Sequence, residues 1–424
     1  MIEKKIYKLA KKLWGYNRSI TGEGSLNSLK KLKNIFPELK ILSVKSGLKV
    51  YDWKVPKEWN VKEAYIINPD KKKILDFKKN NLHLVSYSVK IKKTLKLNQL
   101  KKHLHTLKKQ PSAIPYVTSY YKKDWGFCIK HNQYKKLKKG YYKVNIDSSF
   151  KNGKLNFGEI IIKGKSKDEI FFSTYICHPS MANNELAGPC LMIYIADWIK
   201  KNHDNYHTIR IVFIPETIGS LVYLNKNFKK LKKNMKAGFN ITCIGDNREY
   251  SYMSSRNGNT NSDNIIKYVL KNITKKYKCY SWNERGSDER NYCAPGVDLP
   301  VATVMRSKFG SYPEYHTSLD KLGTVVTKKS LKSSFDLIKK LIIAADNNCY
   351  PKTKIFGEPF MTKRNMYPTI SKTHSNKSVK TMMDIISYCD GSTSLISISE
   401  KCKKPISVIM PILNKLKKMK IVNF

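Results

Sequence analysis

The chain is short of acid and short of arginine. Only 32 aspartates and glutamates stand against 81 lysines and arginines, which leaves a formal charge of +49. Eight of those cations are arginines, and the other 73 are lysines spread along nearly the whole length. A surface built to read phosphate favours arginine, whose planar fork grips phosphate and guanine edges at two points. Diffuse lysine reads instead as a compositional bias, so the net charge alone does not mark a nucleic-acid binder. No apolar run approaches the ~20 residues of a membrane span. The N-terminal MIEKKIYKLAKKLWGYN has neither the apolar core nor the cleavage site of a signal peptide. The nine cysteines are odd in number, scattered, and contain no CxxC pair, which excludes a disulfide framework and a zinc ribbon. These absences predict a soluble, cytoplasmic protein with no membrane partner; they leave self-association open.

At 424 residues, 41% of them hydrophobic, the chain is long enough for two or three domains with real cores. Residues 1–36 carry apolar positions at helical spacing, broken by the turn-rich NRSITGEG from Asn17 to Gly24. Residues 41–135 are short β-branched and aromatic segments separated by Gly, Pro, Asn and Asp, a β-rich insert with one helix near Leu97 to Leu107. From 136 to 350 strand, loop and helix alternate, which predicts an α/β core with helices on both faces of a sheet. Residues 1–40 belong with that core. A Pro- and Lys-containing linker from about 350 to 375 precedes a unit at 376–424, whose three short helices read as a winged helix or a small helical cap.

Four loops that leave predicted strands carry chemistry. CHPSMANNELAG (177–188) holds His178 at a strand end, then Asn184 and Glu185 at a helix start, where the dipole favours an acid. IPETIGS (214–220) places Glu216 at the mouth of an apolar strand, where a buried carboxylate needs a metal, a partner or a role as base. RGSDERNYCAPGVDLPV (285–301) offers Asp288, and YPEYHTSLD (312–320) offers His316 beside Tyr315. Two His, one Asp and one or two Glu on strand-end loops make a donor set for zinc with a water in an open position. Arg256, Arg285 and Arg290 are either an anion-binding group or loop structure. Tyr120, Tyr121, Asp124 and Trp125 of the insert are candidates for the cleft wall, with core packing the expected role of Trp125.

The order of these loops resembles the aminopeptidase clan that uses two co-catalytic zinc ions. The whole chain, through LWGYNRSITGEG, VYDWKVPKEW, IPYVTSYYKKDWGFC, YICHPSMANNELAG and PETIGS, is similar to a bacterial aminopeptidase-like domain family with a C-terminal winged helix. The resemblance implies a three-layer α/β/α core, with His178, Asp288 and His316 as metal ligands. It also implies Glu216 as general base, Tyr315 as donor to the oxyanion, and a link to surface-polysaccharide biosynthesis. Three positions depart from the clan. Ser180 stands where an Asp would orient the first His, Asn184 where an Asp would bridge two metals, and Thr217 where a second Glu would ligate. One zinc is therefore expected, with Glu185 as a further ligand, and a second zinc would be poor in ligands. The leading expectation is metal-dependent hydrolysis of a small peptide or amide. The alternative is a peptidase fold that has lost catalysis and binds a small ligand or protein. Nucleic-acid binding through 376–424 is the least favoured reading, because that unit carries nine lysines and no arginine.

Overall fold

The computed structural model describes residues 1–364, 366 and 377–424. Two units are described separately, Met1–Lys340 and Leu341–Phe424.

The first unit is built on an eight-stranded sheet. Its spatial order is Lys40–Lys45, Lys154–Ile162, His207–Ile214, Ser166–Tyr175, Met235–Ile241, Val301–Met305, Ser251–Met253, Lys278–Tyr280. The four strands from His207–Ile214 to Val301–Met305 run parallel. Their near-continuous burial explains why they read as unbroken apolar runs rather than alternating ones.

Successive side chains of Ser166–Tyr175 point to opposite faces. Phe171 packs on Tyr223 and Tyr292, which come from the helices Ile218–Asn234 and Glu289–Tyr292. Thr174 meets the helix Ala187–Asn202 on the other face. A Cβ at Gly188 would lie 2.3 Å from its hydroxyl, so close packing of helix on strand requires glycine there. Helices thus cover both faces, as the alternation of elements predicts.

The β-rich insert is an antiparallel four-stranded sheet in the order Lys73–Asp76, Glu58–Ile67, Tyr141–Lys151, Ile91–Lys96. Tyr141–Lys151, read from sequence as part of the core, pairs here, with Tyr65 opposite Asn145. Lys40–Lys45 pairs with Lys154–Ile162 in the large sheet. Periodicity identifies a strand but not the sheet that receives it. The helix expected from Leu97 to Leu107 stops at Lys101. Leu104–His105 then pairs with Phe127–Cys128, and His103 stacks on Trp125 at 3.7 Å, so tertiary pairing overrides the local period.

The second unit has the helices Lys377–Ser387, Leu395–Cys402 and Ile406–Lys418 and a two-stranded ribbon of Lys352–Thr353 against Val422–Asn423. Met382, Ile385, Leu395, Ile398, Ile409, Leu413 and Leu416 form its core. The ribbon draws the start of the expected linker into this unit, while 365 and 367–376 lie outside the described residues. No helix among the described residues is long and apolar enough to cross a membrane.

Beneath the parallel strands lies a buried ion cluster. Arg210 Nε and Nη2 bond Glu169 at 2.6 and 2.8 Å, Nη1 bonds Glu159 at 2.6 Å, and the Tyr223 hydroxyl donates to Glu159. Removing the cation alone strands two carboxylates in the interior. Arg210→Met should cost about 3–5 kcal/mol in denaturant unfolding, and the triple change with Glu159→Gln and Glu169→Gln much less. Equal losses in the two proteins would show that the cluster's charges are not what Arg210 supports.

Candidate active site

Three of the site loops, those of His178, Glu216 and His316, begin at the carboxyl ends of parallel strands, where ligands sit in sheets of this kind, while the Asp288 loop follows Lys278–Tyr280, which runs against them. Ser166–Tyr175 runs into Cys177 and His178, and His207–Ile214 into Glu216. The Asn183–Glu185 segment forms a single π-turn ahead of the helix Ala187–Asn202, a distortion often found at functional sites. Asp320 fixes this turn by accepting the backbone N–H groups of Asn183 and Asn184 at 2.7 and 2.9 Å.

The turn delivers Glu185 to the back of His178. Glu185 Oε1 accepts from Arg18 Nε at 2.5 Å. Its Oε2 accepts the N–H groups of Cys177 and His178 and lies 3.2 Å from His178 Nδ1. Arg18 Nε also donates to the His178 carbonyl at 3.0 Å, so one buried arginine holds both partners. This arginine comes from NRSITGEG, which the sequence offered only as a loop. Ser180, at the place of the clan's orienting Asp, bonds Asn81 of the insert instead, at 2.7 Å. The carboxylate behind His178 is therefore Glu185, seven residues on, and it fixes the ring as second partners of histidine ligands do.

On its other side His178 Nε2 lies 3.7 Å from Glu216 Oε2. Burial pushes the His178 pKa down, but the bond to Glu185 and the charge of Glu216 outweigh it and raise it. Glu216 Oε1 accepts from the Ser287 hydroxyl at 3.0 Å. Its side chain keeps 23% exposure, which opens it to a cavity of about 330 Å³. Burial raises the Glu216 pKa, against the pull of His178, Arg290 and Ser287. Asp288 sits alongside. Its Oδ1 accepts from Thr217 N and the Ser220 hydroxyl, both at 2.8 Å, and burial with the charge of Glu216 pushes its carboxyl up to about 7.

His316 reaches the same cavity from the loop after Val301–Met305. The insert pins that loop: Tyr116 N donates to the His316 carbonyl at 2.8 Å and Ser318 N to that of Ile114 at 2.9 Å. Tyr116 lies 5.2 Å from both the His178 and His316 rings. Burial and the nearby His178 push His316 down to about 3, so it is a neutral imidazole at ordinary pH. Tyr315 stacks on His316 at 3.9 Å and does not line the cavity. The tyrosines that do are Tyr116, Tyr120 and Tyr121, of which the sequence reading missed Tyr116. Asp124 is exposed away from it, and Trp125 is half-buried against the core.

Cys177, His178 and Glu185 bring one potential ligand atom each within 4.8 Å, a buried trio of metal-binding types. Glu185 already takes four polar contacts, three of them crowded on Oε2 and one on Oε1, however, and burial with the charges of Glu185 and Glu216 keeps the Cys177 thiol protonated. The front of His178 has donors to spare. Asp288 Oδ2, His316 Nε2 and Asn184 Oδ1 are buried without a hydrogen-bond partner. Such orphans call for an ion or a water, and imidazole with carboxylate suits zinc. His178, Asp288 and His316 do not close to within 4.8 Å as a trio, so sharing one ion requires side-chain movement.

A family described as a domain of unknown function (DUF4910) matches residues 7–348, and a winged helix-turn-helix family matches 348–423. The chain belongs to the DUF4910 family. The chain is also 40% identical, over 93% of its length and 91% of the relative's, to a Clostridium acetobutylicum protein. That relative is described provisionally as a polysaccharide biosynthesis protein with an aminopeptidase-like domain. A crystal structure of a provisionally assigned peptidase from Clostridium acetobutylicum superposes with a TM-score of 0.90 at 37% identity, covering 99% of this chain and 96% of that one. A Bacillus subtilis zinc aminopeptidase superposes at 0.59 and 15% identity, over 81% and 97%, which shows the shared fold. The DUF4910 domain is thus an aminopeptidase-like α/β fold with an added antiparallel sheet, followed by a winged helix.

A carboxyl whose native pKa lies above its unfolded value supports the fold while protonated and withdraws that support as pH rises from about 4 to about 7. Asp288→Asn keeps the acceptor toward Thr217 and Ser220 and cannot ionise. In metal-free protein its melting temperature should gain on the wild type as pH is raised from about 5 to about 8. Parallel curves would mean that Asp288 ionises without strain.

Proposed function

We propose that this chain is a metal-assisted hydrolase of amide bonds, with Glu216 as general base. The observation that carries the reading is Glu216 itself: a carboxylate of raised pKa, partly open to the cavity and facing His178 Nε2 at 3.7 Å. A carboxylate of raised pKa is a stronger base than an ordinary one. His178, Asp288 and His316 are the residues that would hold the metal, Asp288 and His316 through their orphaned atoms. A zinc ion there would acidify a water and polarise the amide carbonyl. Glu185 and Arg18 keep His178 Nε2 turned to the cavity, and Ser287 holds the Glu216 carboxylate in place. Glu216 takes the proton of the attacking water and returns it to the leaving nitrogen. The peptidase and polysaccharide descriptions of the Clostridium acetobutylicum relatives support an amide substrate, and a polysaccharide precursor as its setting.

A second reading, a binding module without turnover, is favoured by Asn184 and Thr217 at positions where two-zinc enzymes carry carboxylates. One variant separates the two. Glu216→Gln should lower hydrolysis of a responsive amide by roughly 10²- to 10⁴-fold with zinc content by elemental analysis unchanged. Wild-type turnover in the variant would remove Glu216 as base. No turnover by zinc-loaded wild type across peptides, amides and N-acyl amino sugars would leave the binding module.

A further inference from the structure

We infer that the cavity takes a substrate with a carboxylate and a blocked nitrogen, and that Arg290 is the residue that recognises the carboxylate. This deepens the hydrolase reading and rests on it.

Of the three arginines that the sequence grouped together, the structure separates one. Arg256 is spent on Asp298 at the surface. Arg285 lies over its own neighbour Trp282 and donates to the Trp282 carbonyl. Arg290 alone lines the cavity, with His178, Glu216 and His316. Its guanidinium makes one hydrogen bond among the described residues, from Nη2 to Thr217 Oγ1 at 2.5 Å. It pairs with neither Glu216 nor Asp288, although its charge lowers the pKa of both. Its guanidinium is thus anchored at one nitrogen, with donors left over for a planar anion.

Thr217 is shaped for this task at a cost. It is a β-branched residue at φ 64°, a rarely occupied conformation for its type. Its N–H is held by Asp288 and its hydroxyl by Arg290. Strain of this kind persists where surrounding bonds enforce it, and it clusters at functional sites. Where the two-zinc pattern has a second glutamate, this chain has a threonine that presents a fixed cation.

The charge balance then decides the substrate class. An enzyme that trims free N-termini must hold an ammonium. Among the described residues the one carboxylate lining this cavity is Glu216, and pairing it with an ammonium would occupy the base. Arg290 at the same wall repels the ammonium as well. An anionic substrate meets the opposite situation, with Arg290 as partner and the base left free. Part of the lining is aromatic: Trp53 and Tyr121, 40% and 52% exposed, meet edge to face at 5.7 Å. They offer an apolar or sugar-ring surface to the rest of the molecule.

The test uses full-length, zinc-loaded protein and calorimetric titration with N-acetyl-L-leucine, its equal-sized neutral amide N-acetyl-L-leucinamide, and the smaller, cationic L-leucinamide. The acetylated acid should bind at least about tenfold tighter than its neutral amide, with the cationic L-leucinamide weakest. Arg290→Gln should abolish the preference for the acid, and Arg290→Lys should keep part of it, because a point charge attracts without forking. Arg290 is exposed, and matching melting temperatures would confirm that both variants fold. A wild type that prefers L-leucinamide, shows no preference, or binds none of the three at millimolar concentration overturns the proposal. So does a preference that survives Arg290→Gln. Turnover is read in a separate assay, so the two ideas fail separately: binding that follows charge without hydrolysis sinks the hydrolase alone, and hydrolysis blind to the carboxylate sinks the Arg290 role alone.

Discussion

The site depends on one carboxylate that never faces the cavity. Glu185 receives Arg18, two backbone N–H groups and the Nδ1 side of His178. Burying an acid this deeply is affordable only because a cation and several donors neutralise it. In return it fixes the end of a central strand, the direction of an imidazole and the place of the N-terminal segment. The π-turn that delivers Glu185 is itself tied down by Asp320, a second buried acid, whose carboxyl burial pushes up to about 6.

The front of the site follows a different logic. There the buried atoms are under-partnered rather than saturated, and backbone strain collects, with Ser180, Thr217 and His316 all at positive φ. Saturation behind and want in front is the arrangement of a preorganised centre: the frame is paid up, and the reactive face keeps unspent bonding capacity. Asn184 and Thr217 remove two negative charges that the two-zinc pattern would supply. Arg290 adds a positive one, so the site is less anionic than the two-zinc pattern that the sequence resembles.

Much of this was legible in the sequence, for identifiable reasons. Fully buried parallel strands write themselves as apolar runs, so His207–Ile214 and Val301–Met305 were readable, and with them the strand-end positions of His178 and Glu216. What could not be read was pairing at a distance. Tyr141–Lys151 announces itself as a strand but not as part of the insert's sheet, and the Leu97 helix gives no local sign of where it stops. Arg18 was missed because its motif looks like a turn, and Tyr116 because nothing local places an insert loop against His316. One signal was available. In a chain that uses lysine almost everywhere, an arginine marks a place where the fork matters, as at Arg18, Arg210 and Arg290.

The strap between Tyr116 and His316 has a consequence for how the protein comes into being. Its two backbone hydrogen bonds join segments about 200 residues apart, and Arg18 lies still farther from His316 in sequence. Contacts of such high sequence separation form late, after loop closure has been met by other interactions. On a ribosome the strands from Lys40–Lys45 to Met235–Ile241 are made well before the His316 loop, and Val301–Met305, which joins Ser251–Met253 to them, only just before it. The nascent chain therefore carries a structured but incomplete centre, and reactive chemistry is withheld until nearly the whole first unit has been made.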